Sequence, residues 1–272
     1  MPIDTSSYYP EVPSDSGNGD SYSLNSRGGG LFGDSSASAH EPDPAPLPPP
    51  QPERPERRTK DDGSTFGDRL ADGISHFLSW ALVPLLMPVY GLILAFGLSI
   101  LDVAPMGMRV VFTVIVAAID VLLPMLLILL LKRLGVVSDI GLNGRKERLI
   151  PYIIIIACYA ATAWFMHFKG APMWLGMFFM GGALGGLINM LINFRWKISA
   201  HSAGIAGIVA LLIRIEKDGS PEPELFFWLI LSICLAGLLG SARVWLGRHT
   251  VWQVLAGYAV GFCSVFFLTM IR

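Results

Sequence analysis

The sequence predicts an all-α, polytopic membrane protein: a bundle of about seven transmembrane helices that follows a disordered amino-terminal tail. Three observations support this fold class. Of the 272 residues, 53% are hydrophobic and 15% are charged, whereas a soluble domain usually carries about 25% charged residues. The mean hydropathy is +0.54. The apolar residues also fall into long runs, each near the ~20 residues that a helix needs to cross a bilayer core.

The first 70 residues differ in composition from the rest of the chain. They are rich in Ser, Gly, Asp and Pro, and a proline-rich stretch from Leu47 to Pro52 precedes mixed charges from Glu53 to Lys60. Such a segment cannot bury enough apolar surface to offset the entropy of an ordered chain. We therefore predict a disordered tail over residues 1–70, a plain tether or a proline-rich recognition peptide, and a transmembrane domain over residues 74–272.

The apolar runs predict the membrane spans in order. The fifth run is the shortest and carries His201 near its start, so its first turn should line a hydrated cavity instead of lipid. Asp120 lies in the middle of the second run, where it either bonds to another helix or takes part in a proton or ion relay. The predicted spans are His76–Leu101, Val110–Leu131, Ile150–Phe168, Met173–Asn193, Ile198–Ile215, Leu225–Gly240 and Val251–Ile271.

Three polar segments lie in loops that the order of spans returns to one side of the bilayer. They are Arg145–Arg148, Lys197–His201 and Arg243–Gln253. Together they supply several cations, two imidazoles and a serine hydroxyl, with Glu147 as the only acid. Arginine forks match phosphate oxygens, while the carboxylates of a Mg²⁺ site and the His and Cys spacing of a Zn²⁺ site are missing. The segments therefore predict a phosphate site without a metal or another cofactor.

The spacing within two of these segments matches a known pattern. Five residues separate Arg243 from His249, and one residue separates Ser199 from His201. This arrangement resembles the type 2 phosphatidic acid phosphatase family, relatives of bacterial acid phosphatases and vanadium haloperoxidases, whose motifs read K-x6-RP, PSGH and SR-x5-H-x3-D. The resemblance covers residues 145–253.

The sequence departs from the family motifs at several positions. The first motif is degenerate, and the terminal aspartate of the third is replaced by Gln253. The departures are Arg145-Lys146-Glu147-Arg148-Leu-Ile-Pro151 in the first motif, Ile198 and Ala200 in the second, and Ala242 and Gln253 in the third.

The resemblance implies an integral membrane lipid phosphatase that hydrolyses a lipid phosphate monoester or a polyprenyl diphosphate. In this reading His249 forms a phosphohistidine, and His201 acts as general acid and then as general base. Gln253 orients His249 by accepting a hydrogen bond from its Nδ1–H. The residues that would bind the phosphoryl oxygens are Arg243, Arg148, Lys146, Arg145 and Ser199.

An alternative of a different class keeps the fold and the pocket without turnover. Gln253 and the altered first motif favour such a protein, which would bind or translocate a phosphorylated lipid. The expected partners are a phosphorylated lipid and membrane lipids, not nucleic acid, in a multi-pass protein of the bacterial plasma membrane. The loop cations predict a cytoplasmic site, whereas the resemblance implies an outward-facing one. Arg195, Lys197 and Arg248 are expected to be interfacial cations.

Overall fold

The computed structural model describes residues 65–135, 149–218 and 224–271, which form α-helices and no strand. The prediction of an all-α bundle is therefore confirmed. The predicted tail up to residue 64 lies outside the described residues. The helices are α1 (Phe66–Ala81), α2 (Met87–Leu98), α3 (Met106–Ala117), α4 (Leu123–Arg133), α5 (Leu149–Phe168), α6 (Met173–Asn193), α7 (Ala200–Lys217), α8 (Glu224–Trp245) and α9 (Val251–Thr269).

Helix α1 begins inside the segment predicted to be tail. A capping box starts it: the Asp68 N–H donates to Thr65 Oγ1 over 3.3 Å, and the Thr65 N–H donates to Asp68 Oδ2 over 3.1 Å. These two bonds satisfy backbone donors that a helix start leaves unpaired. Residues 65–70, which the sequence assigned to the tail, therefore form the cap and the start of α1.

The first predicted span, His76–Leu101, is not one uninterrupted α-helix. Helix α1 ends at Ala81, a short 3₁₀ turn covers Pro84–Leu86, and α2 starts at Met87. Proline has no N–H to donate and favours the first turn of a helix. Pro84 and Pro88 therefore divide the segment into two helices.

The second predicted span contains a π-helical turn at Ala118–Leu122, between α3 and α4. Pro124 lies four residues after Asp120 and cannot donate the bond that the Asp120 carbonyl would accept in a regular helix, which accounts for the irregular turn. The Asp120 side chain is buried, and its Oδ1 accepts a hydrogen bond of 2.9 Å from Thr162 on α5. This contact is the helix-to-helix bond that the sequence offered as one of two interpretations.

Six helical segments in the described ranges are long and apolar enough to cross a membrane, with α1 and α2 forming one of them. Helix α7, the fifth predicted span, is not among these six because Arg214, Glu216 and Lys217 lie in its last turn. It occupies the centre of the bundle and contacts α2, α6, α8 and α9. Because neighbouring helices shield it from lipid, it needs less hydropathy than a peripheral span.

Helices α7 and α9 pack closely through small residues. A Cβ atom on Gly257 would collide with the Ser199 carbonyl, and one on Gly261 would collide with the Ala203 carbonyl. Without side chains at these two positions, the α9 backbone approaches the first turn of α7 directly. This contact brings the loop before α7 to the loop before α9.

Candidate functional site

The start of α7 carries Ser199 and His201. Ser199 is fully buried and caps the helix: its Oγ accepts hydrogen bonds from the Ser202 N–H over 3.3 Å and from the Ser202 hydroxyl over 2.8 Å. Such a cap stabilises a helix start by about 1 kcal/mol. The observed contacts give Ser199 the task of fixing the helix end that carries His201.

The turn between α8 and α9 carries Arg243 at one end and His249 at the other. Gly247 has a φ of 60°, a left-handed conformation that glycine adopts without strain. This turn allows the N–H groups of Arg248 and His249 to donate to the Arg243 carbonyl, over 3.1 and 3.2 Å. The chain therefore folds back within six residues, so that Arg243 and His249 stay near each other.

Two hydrogen bonds join this turn to the start of α7. The Ser199 N–H donates to the Gln253 carbonyl over 3.2 Å, and Lys197 Nζ donates to the Arg248 carbonyl over 2.7 Å. Lys197, expected to be an interfacial cation, instead links the two loops. The structure thus brings together the second and third polar segments found in the sequence.

Gln253 holds the imidazole of His249. Its Oε1 lies 3.1 Å from His249 Nδ1 and also accepts the Thr250 N–H over 3.2 Å. A backbone N–H can only donate, so this second bond identifies the atom as the amide oxygen. His249 must then carry its proton on Nδ1, which leaves the lone pair of Nε2 available.

The environment keeps His249 neutral. Burial of the side chain, followed by the positive charges of Arg243 and Lys197, lowers the pKa of His249 from 6.5 to about 3, and His201 adds a smaller effect in the same direction. The hydrogen bond to Gln253 acts in the opposite direction and does not overcome the others. At neutral pH the residue therefore offers an unprotonated nitrogen beside fixed positive charge.

This lowered pKa predicts a pH dependence of folding stability that needs no substrate. Between pH 6.5 and 3 the unfolded chain binds a proton at His249 and the folded chain does not, so stability present above pH 6.5 is lost as the pH falls. At pH 5 the loss is about 2 kcal/mol. Thermal unfolding in detergent at pH 7.5 and pH 5 should show a smaller decrease for His249→Gln than for wild type. A variant of the exposed His167 is the control. Equal decreases in the thermal midpoint of wild type and His249→Gln would contradict the lowered pKa of His249.

His201 faces α1. Its Nε2 lies 3.1 Å from the carbonyl oxygen of Ser79, and because a carbonyl only accepts, Nε2 carries the proton. The sequence does not indicate Ser79, because the acceptor is a main-chain carbonyl, which every residue type has. The Ser79 hydroxyl is buried without a hydrogen-bond partner among the described residues.

Arg243 carries a second buried polar atom without a partner. Its Nε is enclosed and has no hydrogen-bond acceptor in the described part of the chain. A buried guanidinium donor left unpaired is costly unless a ligand completes it. Arg243 therefore presents an unused donor next to the neutral imidazole of His249.

The first polar segment lies outside the described residues. Arg145, Lys146 and Arg148 fall in residues 136–148, so their predicted contacts with phosphate stay predictions. In the described ranges, no three His, Cys, Asp or Glu side chains are grouped so that they could hold a metal ion.

Comparison with known proteins points to the same part of the chain. The family model of the PAP2 superfamily matches residues 192–272. No curated protein and no solved structure matches the chain. The matched range runs from the end of α6 through α9 and includes both histidines, Arg243 and Gln253. Over these residues the chain is similar to the PAP2 superfamily, which confirms the resemblance to the type 2 phosphatidic acid phosphatases found in the sequence.

Proposed function

We propose that this multi-pass membrane protein is a lipid phosphatase, hydrolysing a lipid phosphate monoester or a polyprenyl diphosphate. One observation carries the proposal: the neutral His249, with its Nε2 lone pair available, lies close to Arg243, whose enclosed Nε has no acceptor among the described residues. A nucleophile next to an unsatisfied guanidinium donor suits a phosphoryl group, which offers both an electrophile and anionic oxygens.

The reaction proceeds in two displacements at phosphorus. His249 Nε2 forms a bond to phosphorus while the bond from phosphorus to the lipid oxygen breaks, giving a phosphohistidine and a lipid alcohol. His201 donates the proton that the leaving oxygen takes up, and then removes a proton from the water that cleaves the phosphohistidine. The Nε2–H of His201 stays bonded to the Ser79 carbonyl. His201 therefore acts as the acid in its imidazolium form, protonated on both nitrogens: its Nδ1 proton passes to the leaving oxygen, and Nδ1 regains a proton from the attacking water.

Positively charged side chains stabilise the negative charge of the phosphoryl oxygens during both displacements. Arg243 donates from its guanidinium, and Lys197 adds its field from the loop that it links. Arg148, with Lys146 or Arg145, supplies further cations in this proposal, as the family resemblance implies. Ser199 stabilises the start of α7 by capping it. Neither displacement requires a hydrogen bond from its hydroxyl to the phosphoryl oxygens.

Gln253 acts as a positioning residue. In serine protease triads, exchanging the aspartate for asparagine lowers kcat about 10⁴-fold because the imidazole adopts the wrong tautomer. Here the Thr250 N–H fixes the amide orientation, so His249 keeps its proton on Nδ1. Compared with the aspartate of the family motif, Gln253 therefore brings no negative charge to the site but holds His249 in the same tautomer.

Two substitutions of Gln253 should change activity in opposite directions. Gln253→Glu keeps the reach of the side chain and adds a charge that stabilises the imidazolium character of the nucleophile, so kcat should rise about tenfold. Gln253→Leu leaves the His249 Nδ1–H unpaired and should lower kcat about 100-fold. Release of inorganic phosphate by purified protein measures both.

Thr250→Val is the matched control for loss of the α9 capping box. It removes the hydroxyl that accepts the Gln253 N–H but leaves the His249–Gln253 contact intact. Its kcat should stay within about twofold of wild type, because a cap affects stability by about 1 kcal/mol and not the imidazole. Equal kcat for Gln253→Leu and wild type would contradict the positioning role.

A second function is favoured by Gln253 itself. If the missing carboxylate prevents turnover, the protein binds or translocates a phosphorylated lipid. Purified protein assayed with phosphatidate, phosphatidylglycerol phosphate and undecaprenyl diphosphate separates the two functions. Phosphate release from any of them supports the phosphatase; a raised thermal midpoint with lipid phosphate, without phosphate release, supports the binding protein.

A further inference from the structure

A partly open cavity of about 110 Å³ lies between α2, α5, α6, α7 and α9. Glycines of α6, among them Gly182 and Gly186, form one wall, and the first turn of α7 forms another through Ala200 and Gly204. Its size is comparable with the ~150 Å³ apolar cavity that binds benzene in an engineered protein. The cavity therefore has room for a short stretch of hydrocarbon chain.

One amide interrupts this apolar lining. Asn189 on α6 lines the cavity and is 3% exposed, and its Oδ1 has no hydrogen-bond partner in the described ranges. The two tyrosines that also line the cavity differ from it: Tyr159 donates to the Pro84 carbonyl over 3.0 Å, and Tyr152 is also engaged. A buried acceptor left unpaired destabilises the folded protein, so an apolar residue would suit this position better unless a ligand supplies a donor.

One end of the cavity lies beside the first turn of α7, and its lining continues along α6 toward the start of that helix. Asn189 lies four residues before the end of α6, about 6 Å along the helix axis. Ala200 and Gly204, on either side of His201 in the sequence, line the same end, whereas Gly181 lines it about 12 Å deeper than Asn189. A lipid whose phosphate reaches His249 would extend its chain in this direction.

We propose that this cavity binds the chain of the substrate next to its phosphate, and that Asn189 Oδ1 accepts a hydrogen bond from a hydroxyl group near the phosphate ester. The inference rests on the proposed function and narrows its substrate class. It favours a single-chain phosphorylated lipid with a free hydroxyl, such as a lysophosphatidate, over a polyprenyl diphosphate, whose chain has no donor. Asn189 is therefore a specificity-determining residue.

The test compares two substrates that differ in one hydroxyl group. They are an oleoyl lysophosphatidate and its analogue in which hydrogen replaces the free hydroxyl. Wild type should show kcat/KM at least tenfold higher for the hydroxyl-bearing lipid, since one hydrogen bond to a buried acceptor discriminates by about that factor. In Asn189→Leu this preference should fall to within about twofold, with kcat/KM for the analogue little changed.

Asn193→Leu is the matched control. Asn193 lies one turn later on α6 and is similarly buried, but it does not line the cavity. Its variant should keep the preference of wild type. Equal kcat/KM of wild type for the two lipids overturns the proposal even if Asn189→Leu does not fold, and so does a loss in Asn189→Leu that is equal for both lipids.

A binding experiment separates failure of this inference from failure of the proposed function. His249→Ala protein is titrated with the same two lipids, and the thermal midpoint is measured. A preference for the hydroxyl-bearing lipid that depends on Asn189 supports the cavity assignment even if no lipid is hydrolysed. Turnover by wild type without such a preference in kcat/KM or in binding retains the phosphatase and overturns the cavity assignment.

Discussion

Replacing His249 by alanine should reduce phosphate release by about 10⁴-fold or more, because the variant lacks the atom that bonds to phosphorus. The imidazole is buried, neutral and held by Gln253, so neither water nor a neighbouring side chain takes its place with the same geometry. Release of inorganic phosphate at saturating lipid measures kcat. Brief incubation with radiolabelled substrate followed by denaturation should trap an acid-labile phosphoenzyme in wild type but not in the variant.

His167→Ala is the control for this substitution. His167 is an exposed imidazole near the end of α5, close to Trp164 and distant in the chain from the candidate site. Its variant should retain the kcat of wild type and the labelled intermediate. Appreciable kcat in His249→Ala, with the label still trapped, would assign the nucleophile to another residue and contradict the mechanism.

Replacing Arg243 by lysine should lower kcat/KM about 100-fold, although the charge is kept. A guanidinium offers two parallel donors to phosphoryl oxygens, whereas an ammonium offers a single point of contact on a flexible stem. The buried Nε of Arg243, which has no acceptor among the described residues, is lost in the variant. The expected result is a lower kcat together with a higher KM, measured over a range of lipid mole fractions.

Arg248→Lys provides the comparison for Arg243→Lys. Arg248 is exposed, five residues along the same turn, and its main-chain carbonyl holds Lys197 whatever side chain it carries. The variant should therefore lose less than threefold in kcat/KM, in line with the small energy of exposed charges. Equal losses in the two variants would show that the guanidinium of Arg243 has no special role, and wild-type kcat/KM in Arg243→Lys would show that positive charge alone is what the site requires.

Much of the site could be predicted because its contacts are local in sequence or follow from the order of spans. Arg243 and His249 share one turn, and His249 and Gln253 lie four residues apart, so their spacing indicates the contact. The meeting of this turn with the start of α7 follows from the even number of crossings between His201 and Arg243. These features need no knowledge of how particular helices pack.

Other features depend on packing and could not be predicted. Helix α1 packs against α8, and this places the Ser79 carbonyl next to His201. In the sequence, Asn189 is a polar residue within an apolar span. Only the arrangement of five helices shows that it lines a cavity. Helix α7 carries three charged residues in its last turn, and only the packing shows that Arg214 is buried and bonded to Asp218 and to the Thr269 carbonyl while Glu216 and Lys217 are exposed.

The bond from His201 to α1 ends on an oxygen that every amino acid possesses. Any residue at position 79 can therefore supply it, and a change of side chain there leaves the acceptor in place. Adding or removing one residue within α1 would instead turn position 79 by about 100° around the helix axis. The contact between α1 and His201 therefore depends on the length of α1. Substitutions at position 79 should leave it in place, whereas insertions or deletions within α1 should disrupt it.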